Sequence, residues 1–184
     1  MGAEHPAAGP GGTAWIGRGP LLHVVLHEPE IPNNTGNIGR TCVALASALH
    51  LIEPLGFDVS EKACRRAGLD YWPRLDVRQH ASWEAYKGAT PSARRWLLTA
   101  RATRPVFDAA IQPGDHLVFG RESRGLPAGI IEQYPDSVVG LPMVPDERSL
   151  NVSTAVSATM YAAIRMFLDR GWVRLDERGA VRPV

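Results

Sequence analysis

The sequence predicts an α/β domain built on a mainly parallel sheet, and three observations carry that expectation. Short apolar runs without polar alternation recur along the chain, at residues 21–27 (LLHVVLH), 49–52, 96–99, 116–119 and 138–141, as strands buried on both faces require. Segments with helical spacing or helix-capping residues lie between them. The chain also carries one long helix, predicted over 151–170. Its apolar positions Val152, Ala155, Val156, Thr159, Met160, Ala163 and Phe167 keep a 3.6-residue period.

The first strand, 21–27, runs into two prolines, Pro29 and Pro32, and a cluster of Asn, Thr and Gly from Asn33 to Gly39. That composition predicts a loop leading into a helix, with Ile38, Cys42 and Leu45 on the helix's buried side. The second strand, 49–52, is closed by Pro54. A short basic helix is expected over 61–68, carrying Lys62, Arg65 and Arg66, and a brief strand over 77–80. Ser82 is a helix N-cap for 83–87. Strand 96–99 comes next, then the turn Pro113-Gly114-Asp115 and strand 116–119. A helix over 126–134 and strand 138–141 complete the sheet. Gly171 follows the last helix as its C-cap. The charged tail from Trp172 onward has no predicted element. The expected organisation is an extension over 1–20, one domain over 21–171 and a tail over 172–184.

With 184 residues and 45% hydrophobic content, the chain suffices for one domain with a full core. A net charge of +1 argues against a protein that coats nucleic acid nonspecifically, while leaving room for a local basic face. Lys62 and Lys87 are the only lysines, so the positive charge is nearly all arginine. That excess suits bidentate phosphate contacts, and a biased genome composition gives it equally well. Cys42 and Cys64 have neither CxxC spacing nor a nearby histidine pair, so no disulfide framework and no metal site is expected. No apolar run reaches the roughly 20 residues of a membrane span. The first 20 residues, rich in Gly, Pro and Ala, lack a signal-peptide pattern. A reduced, cytoplasmic setting is the expectation.

Three polar bends leave the carboxyl ends of apolar strands, where ligands sit in α/β sheets. The first, 33–40, puts small residues ahead of Arg40. It reads as an anion-holding helix start or as a plain glycine turn with Arg40 solvated. Its spacing matches neither GxGxxG nor the P-loop. The second, 120–127 (GRESRGLP), bends at Gly120 and sets Glu122 between two arginines, where an ion pair would form. The third, 141–156 (LPMVPDERSLNVSTAV), is stiffened by Pro142 and Pro145. It offers Ser149 and Asn151 as caps for the last helix.

NNTGNIGR (33–40), FGRESRGLP (119–127) and LPMVPDERSLNVSTAVS (141–157), in this order, resemble the three motifs of the SpoU-type branch of the SPOUT methyltransferases. EPEIP, IEPLGF and RRAGLDYW tighten the match, which covers residues 21–168. Asn33 and Gly39 stand where that family more often has a proline and a bulkier residue.

The resemblance implies an α/β fold with a C-terminal deep trefoil knot, and an obligate homodimer with a shared active site. It also implies S-adenosylmethionine as cofactor, held by Leu98, Thr99, Gly120, Glu122, Leu141, Met143, Ser149 and Leu150. The implied reaction is 2′-O-methylation of the wobble nucleotide, cytidine or 5-carboxymethylaminomethyluridine, in leucine tRNAs. Arg40 is the implied catalytic residue, supported by Ser149 and Asn151. An arginine guanidinium is a poor proton acceptor, so Arg40 is read as holding a phosphate and polarising the hydroxyl. Asn34, Arg65, Arg66, Arg124 and Arg165 are candidate contacts to the tRNA anticodon stem-loop, with Tyr161 as a stacking platform. Two other readings stay open: methylation of another tRNA position or of ribosomal RNA, and a knotted RNA-binding protein without catalysis.

Overall fold

The structure is a computed structural model that describes residues 19–60, 64, 66 and 68–184. The extension expected over 1–20 falls almost wholly outside the described residues, as do Lys62, Arg65 and much of the basic helix expected over 61–68. Six strands form one sheet: β1 (His23–His27), β2 (Ala48–Ile52), β3 (Val77–His80), β4 (Arg95–Leu98), β5 (His116–Phe119) and β6 (Val138–Val139). Their order is β3-β2-β1-β5-β4-β6, and every pairing is parallel. The predicted α/β class with a parallel sheet is the architecture found. The strand order reverses beside β1, where β2 lies on one side and β5 on the other, the place at which such sheets open a crevice.

Among the described residues, four helices with given bounds cover the sheet: α1 (Pro32–Ala44), α2 (Trp83–Ala89), α3 (Ala128–Ile131) and α4 (Val152–Asp169). Alternate residues of a strand point to opposite faces, so β1 divides its side chains between two cores. Val24 and Leu26 join Leu49, Leu117, Phe119 and the buried sides of α1 and α4, including Ile38, Met160 and Phe167. Val25 joins Ile52, Leu97 and Val118 under Trp83 and Tyr86 of α2 and Ile130 of α3. The apolar stripe read from the last helix is therefore covered within the chain itself. Among the described residues, no helix is long and apolar enough to cross a membrane.

Several elements depart from the sequence-based expectation. Residues 33–40 are helix, not loop, because α1 begins at Pro32, whose fixed φ suits a first helical position. Ile31 supplies no side-chain cap; a carboxylate from a distant loop does that work. Gly39 sits in mid-helix because a Cβ there would stand 2.9 Å from Leu75 Cδ2 and 3.1 Å from Trp72. The helix expected over 126–134 shrinks to the single turn α3, since Pro127, its N-cap, keeps Leu126 out of the helix, Gly129 weakens its middle and Pro135 disfavours helix at Tyr134. Strand β6 stops at Val139. Gly140 passes so close under Thr99 that a Cβ would lie 2.8 Å from the Thr99 carbonyl oxygen. The tail forms an antiparallel hairpin, β7 (Val173–Leu175) with β8 (Val181–Pro183), and buries Val173 against the core.

Candidate active site

A cavity of about 520 Å³ opens at the carboxyl ends of β4 and β5. The chain builds it from the three bends singled out in the sequence. After β5, the main chain folds back on itself between Arg121 and Gly125, whose N–H and C=O groups pair at 3.2 and 2.8 Å. Gly125 takes φ +70°, and a Cβ on Gly120 would fall 2.0 Å from the Gly125 carbonyl carbon. Only glycine fits that crossing.

Side chains lace the bends to one another. Glu122 Oε2 accepts from the Glu30 N–H at 2.9 Å, and Glu122 Oε1 accepts from the Ile31 N–H at 3.3 Å and from Asn34 Nδ2 at 3.0 Å. The favour is returned: Ser123 donates its N–H and its hydroxyl to the Glu30 carboxylate, at 2.9 and 2.8 Å. Asn34 Oδ1 accepts from Asn151 Nδ2 at 3.0 Å. Asn151 Oδ1 in turn caps α4, accepting from the N–H groups of Ser153 (2.8 Å) and Thr154 (3.4 Å). One polar chain, Glu122–Asn34–Asn151, thus ties the second bend to the start of α1 and the start of α4. The ion pair expected between Glu122 and its flanking arginines does not form; Arg121 pairs with Glu28 instead. The reason is local supply: the unpaired N–H groups ahead of α1 need an acceptor, and Glu122 is the carboxylate the turn delivers there.

The structure brings together Leu98, Thr99, Gly120, Glu122, Leu141, Met143, Ser149 and Leu150 as lining of this one cavity, along with Asn34, Arg124 and Asn151. It keeps Arg40 apart. Arg40 stands eight residues into α1, about 12 Å from the helix start at 1.5 Å per residue. Its guanidinium lies 4.4 Å over the Tyr71 ring and 3.4 Å from Asp70 Oδ1. It borders a separate cavity of about 330 Å³, with Asn37, Phe57 and Tyr71. The anion-holding helix start read for Arg40 is therefore not formed. Tyr161 and Arg165 are exposed on one side of α4, Arg165 pairing with Asp169 at 2.9 Å, and Arg66 is exposed. None of these three lines the large cavity.

Sequence reasoning missed Arg101, Arg148 and Thr159, all on the cavity wall. Arg148 lay inside a motif and could have been found; Arg101 and Thr159 carried no signal. Thr159 is fully buried, and its hydroxyl has no partner among the described residues. Beside the cavity, burial and the nearby Arg121 charge hold the His27 imidazole below its usual pKa. The 3.6 Å approach of His27 Nε2 to Glu28 is accordingly no ion pair at neutral pH.

A parallel sheet covered on both faces, with three cross-bonded loops enclosing a cofactor-sized cavity at the strand ends, defines an α/β ligand-binding enzyme. The chain belongs to the SpoU rRNA Methylase family, whose sequence model matches residues 21–161. It is 47% identical over 146 residues to a protein of Saccharophagus degradans named tRNA (cytidine(34)-2'-O)-methyltransferase, covering 79% of this chain and 95% of that one. A solved structure concerned with 2-OH methylation of C/U34 on tRNA is 44% identical. Its TM-score is 0.75, covering 81% of this chain and 97% of the other. The SpoU methyltransferase AviRb of Streptomyces viridochromogenes, solved with the cofactor AdoMet, is 26% identical. Its TM-score is 0.68, covering 82% of this chain and 59% of that one.

Proposed function

We propose that this chain transfers a methyl group from S-adenosylmethionine to the ribose 2′-hydroxyl of the wobble nucleotide in a tRNA anticodon loop. The substrate nucleotide is cytidine or 5-carboxymethylaminomethyluridine of a leucine tRNA. The observation that carries this reading is the cavity enclosed by the Glu122–Asn34–Asn151 chain, in a sequence 47% identical to a curated wobble-nucleotide methyltransferase. The cavity suits the cofactor's chemistry. Leu98, Leu141 and Leu150 offer an apolar slot for adenine, and the orphaned Thr159 hydroxyl offers a bond to a polar ligand atom.

S-adenosylmethionine supplies a methyl group on a positively charged sulfur, already activated for displacement. The protein's part is alignment and exclusion of water. Glu122 holds the first and second bends in register, and its negative charge at the cavity wall offsets a sulfonium. Asn151 has both side-chain ends engaged within the chain, so it positions the bends and does not itself meet the ribose. Ser149 stays free to bond substrate. Arg101, Arg124 and Arg148 set positive charge around the opening, where a phosphate backbone passes. Tyr161, 58% exposed, offers a face on which a base stacks.

Arg40 enters as the partner's contribution. Its separation from the cavity within one protomer supports a homodimer in which it reaches the other protomer's cavity. There it holds a phosphate beside the ribose and polarises the hydroxyl. A deep trefoil knot, with the segment before α4 threaded through a loop, completes the reading. It is supported by the pairing of Gly140 with Pro105 and by the Val106 N–H bond to the Gly140 carbonyl at 2.8 Å.

The test is nucleoside mass spectrometry of leucine tRNA incubated with the protein and methyl-labelled cofactor. Label on the wobble ribose is expected. Label on another nucleotide, or none, rejects the assignment. Mixing Arg40→Ala protein with Gly120→Val protein tests the shared site. Activity returns if Arg40 serves the partner's cavity and stays absent if it serves its own.

A further inference from the structure

Four of the chain's six histidines meet on the sheet face covered by α2, away from the methyl-transfer cavity. His23 Nδ1 lies 2.9 Å from His50 Nε2, and His50 Nδ1 lies 2.9 Å from His80 Nε2. The rings of His23 and His116 stack with centroids 4.2 Å apart. The Tyr86 hydroxyl bonds His116 Nδ1 at 2.7 Å. His50 is fully buried, His116 nearly so, and His23 reaches solvent at one edge. The sequence hid this cluster because its members stand on different strands, tens of residues apart. Parallel register aligns them: His23 pairs with His116 on β5 and with Ala48 on β2, two residues before His50.

We infer that His23, His50 and His116 form a binding site for one divalent transition-metal ion of the zinc class. Each residue offers a ligand nitrogen, and the three lie within 4.8 Å of one another. Around a tetrahedral ion with Zn–N bonds of about 2.0–2.1 Å, neighbouring nitrogens stand roughly 3.3 Å apart. The His23–His50 spacing is already near that value. His116 closes the remainder by turning about its side-chain torsions.

The outer contacts are those that metal-binding imidazoles use. A ligating histidine bonds a polar group through its other ring nitrogen, which fixes tautomer and direction. His80 does this for His50, and Tyr86 does it for His116, leaving Nε2 of each ring to face the ion. His23 ligates through Nδ1 and keeps its proton on Nε2. All three bind as neutral imidazoles, so no net proton is lost. Solvent at the His23 edge supplies the entry path and a water as fourth ligand. The ion would clamp β1, β2 and β5 together, so its role is structural and separate from methyl transfer.

The experiment uses the full chain, stripped with a chelator and titrated with Zn2+ alone by competition calorimetry. Visible absorption on adding Co2+ reports the coordination. One ion per chain is expected, with tetrahedral Co2+ bands and a melting temperature that rises with Zn2+. His23→Gln, at the solvent edge, should weaken binding at least about a hundredfold. Tyr86→Phe should weaken it about tenfold through His116. Circular dichroism establishes that each variant is folded, and His23→Gln decides should a buried substitution unfold. His5→Ala controls for binding at the terminus and should change nothing. The site is rejected if wild-type protein shows no saturable one-to-one binding, if His23→Gln binds as wild type does, or if His5→Ala abolishes binding.

Discussion

The two faces of the sheet solve the same packing problem with different materials. Under α1 and α4 the core is almost wholly apolar, with Val24, Leu26, Leu117, Met160 and Phe167 fitted together. Under α2 and α3 a smaller apolar set is joined by the histidine cluster and the Tyr86 hydroxyl. The apolar face carries the two helices whose starts wall the cavity. Burial there is non-directional and fixes α1 and α4 firmly. Directional polar bonds are then free to set the fine geometry at the helix ends. On the other face the directional bonds lie inside the core itself, where each must be satisfied. A site that must hold its shape rests on the first kind of packing, and a site that recognises an ion can be made from the second.

The largest break in this comparison is expected at the crossing of the second bend. Gly120→Ala forces a Cβ to within 2.0 Å of the Gly125 carbonyl carbon and 2.1 Å of the Leu126 nitrogen, both backbone. The turn must open, and with it Glu122 leaves the start of α1. A displacement of about 1 Å at a reacting centre costs roughly a hundredfold in rate. Methyl transfer should fall at least that far while the melting temperature falls modestly, because of the core residues only Leu126, at the edge of the smaller cluster, is displaced with the turn. Equal activity in Gly120→Ala would detach the turn from catalysis. Next comes Phe167→Ala, fully buried on the apolar face, which should cost about 3–5 kcal/mol in denaturant unfolding. It should leave the cofactor affinity of the folded fraction intact.

Much of this division was legible in the chain. Uninterrupted apolar runs gave the strands, and the 3.6-residue stripe gave α4. The three bends were legible because Gly, Pro, Asn and Ser mark turns for stated steric reasons. The start of α1 was not, because its cap is the carboxylate of Glu122, 88 residues beyond Asn34 in the sequence; local reading sees only Pro32 and a run of Asn and Gly. The histidine face was hidden for a related reason. His23 opens β1, and its meeting with His50 and His116 depends on sheet order, which no local period encodes. Arg40 was read as part of the same site as Ser149. The fold sets it on another cavity, since a helix of thirteen residues carries side chains well away from its start.

Tyr86→Phe sharpens the contrast at smaller cost. It keeps the ring and its packing but leaves His116 Nδ1 without its 2.7 Å partner inside the core. A buried polar atom left unpaired costs about 1–3 kcal/mol. The counterpart on the apolar face is Tyr71→Phe, which removes the bond from that hydroxyl to the Gly36 carbonyl, so the difference between the two losses measures how far the second face depends on bonds. A change below about 0.5 kcal/mol would mean that His116 finds another partner and that the distinction between faces is weaker than argued.

The smallest effect is expected from acid at His27, the last residue of β1. Burial is the first cause of its lowered pKa and the Arg121 guanidinium the second, while Glu28, on its other side, is itself paired with Arg121. The native imidazole therefore stays neutral below the ordinary value of 6.5, where the unfolded chain's imidazole takes a proton. Over that window the unfolded state binds more protons, so stability falls as pH drops. Above 6.5 both states are neutral and His27 contributes no slope. Glutamine keeps a polar side chain without the titration. The melting temperature of His27→Gln, followed from about pH 7.5 to about pH 5.5, should fall less steeply than that of wild type, by the slope of a single proton. Parallel curves would show that the native imidazole titrates as it does in the unfolded chain, and a variant that falls more steeply than wild type would show that His27 is protonated in the native state and pairs with Glu28 after all. The end of β1 would then rest on a charge pair as well as on the apolar packing beneath it.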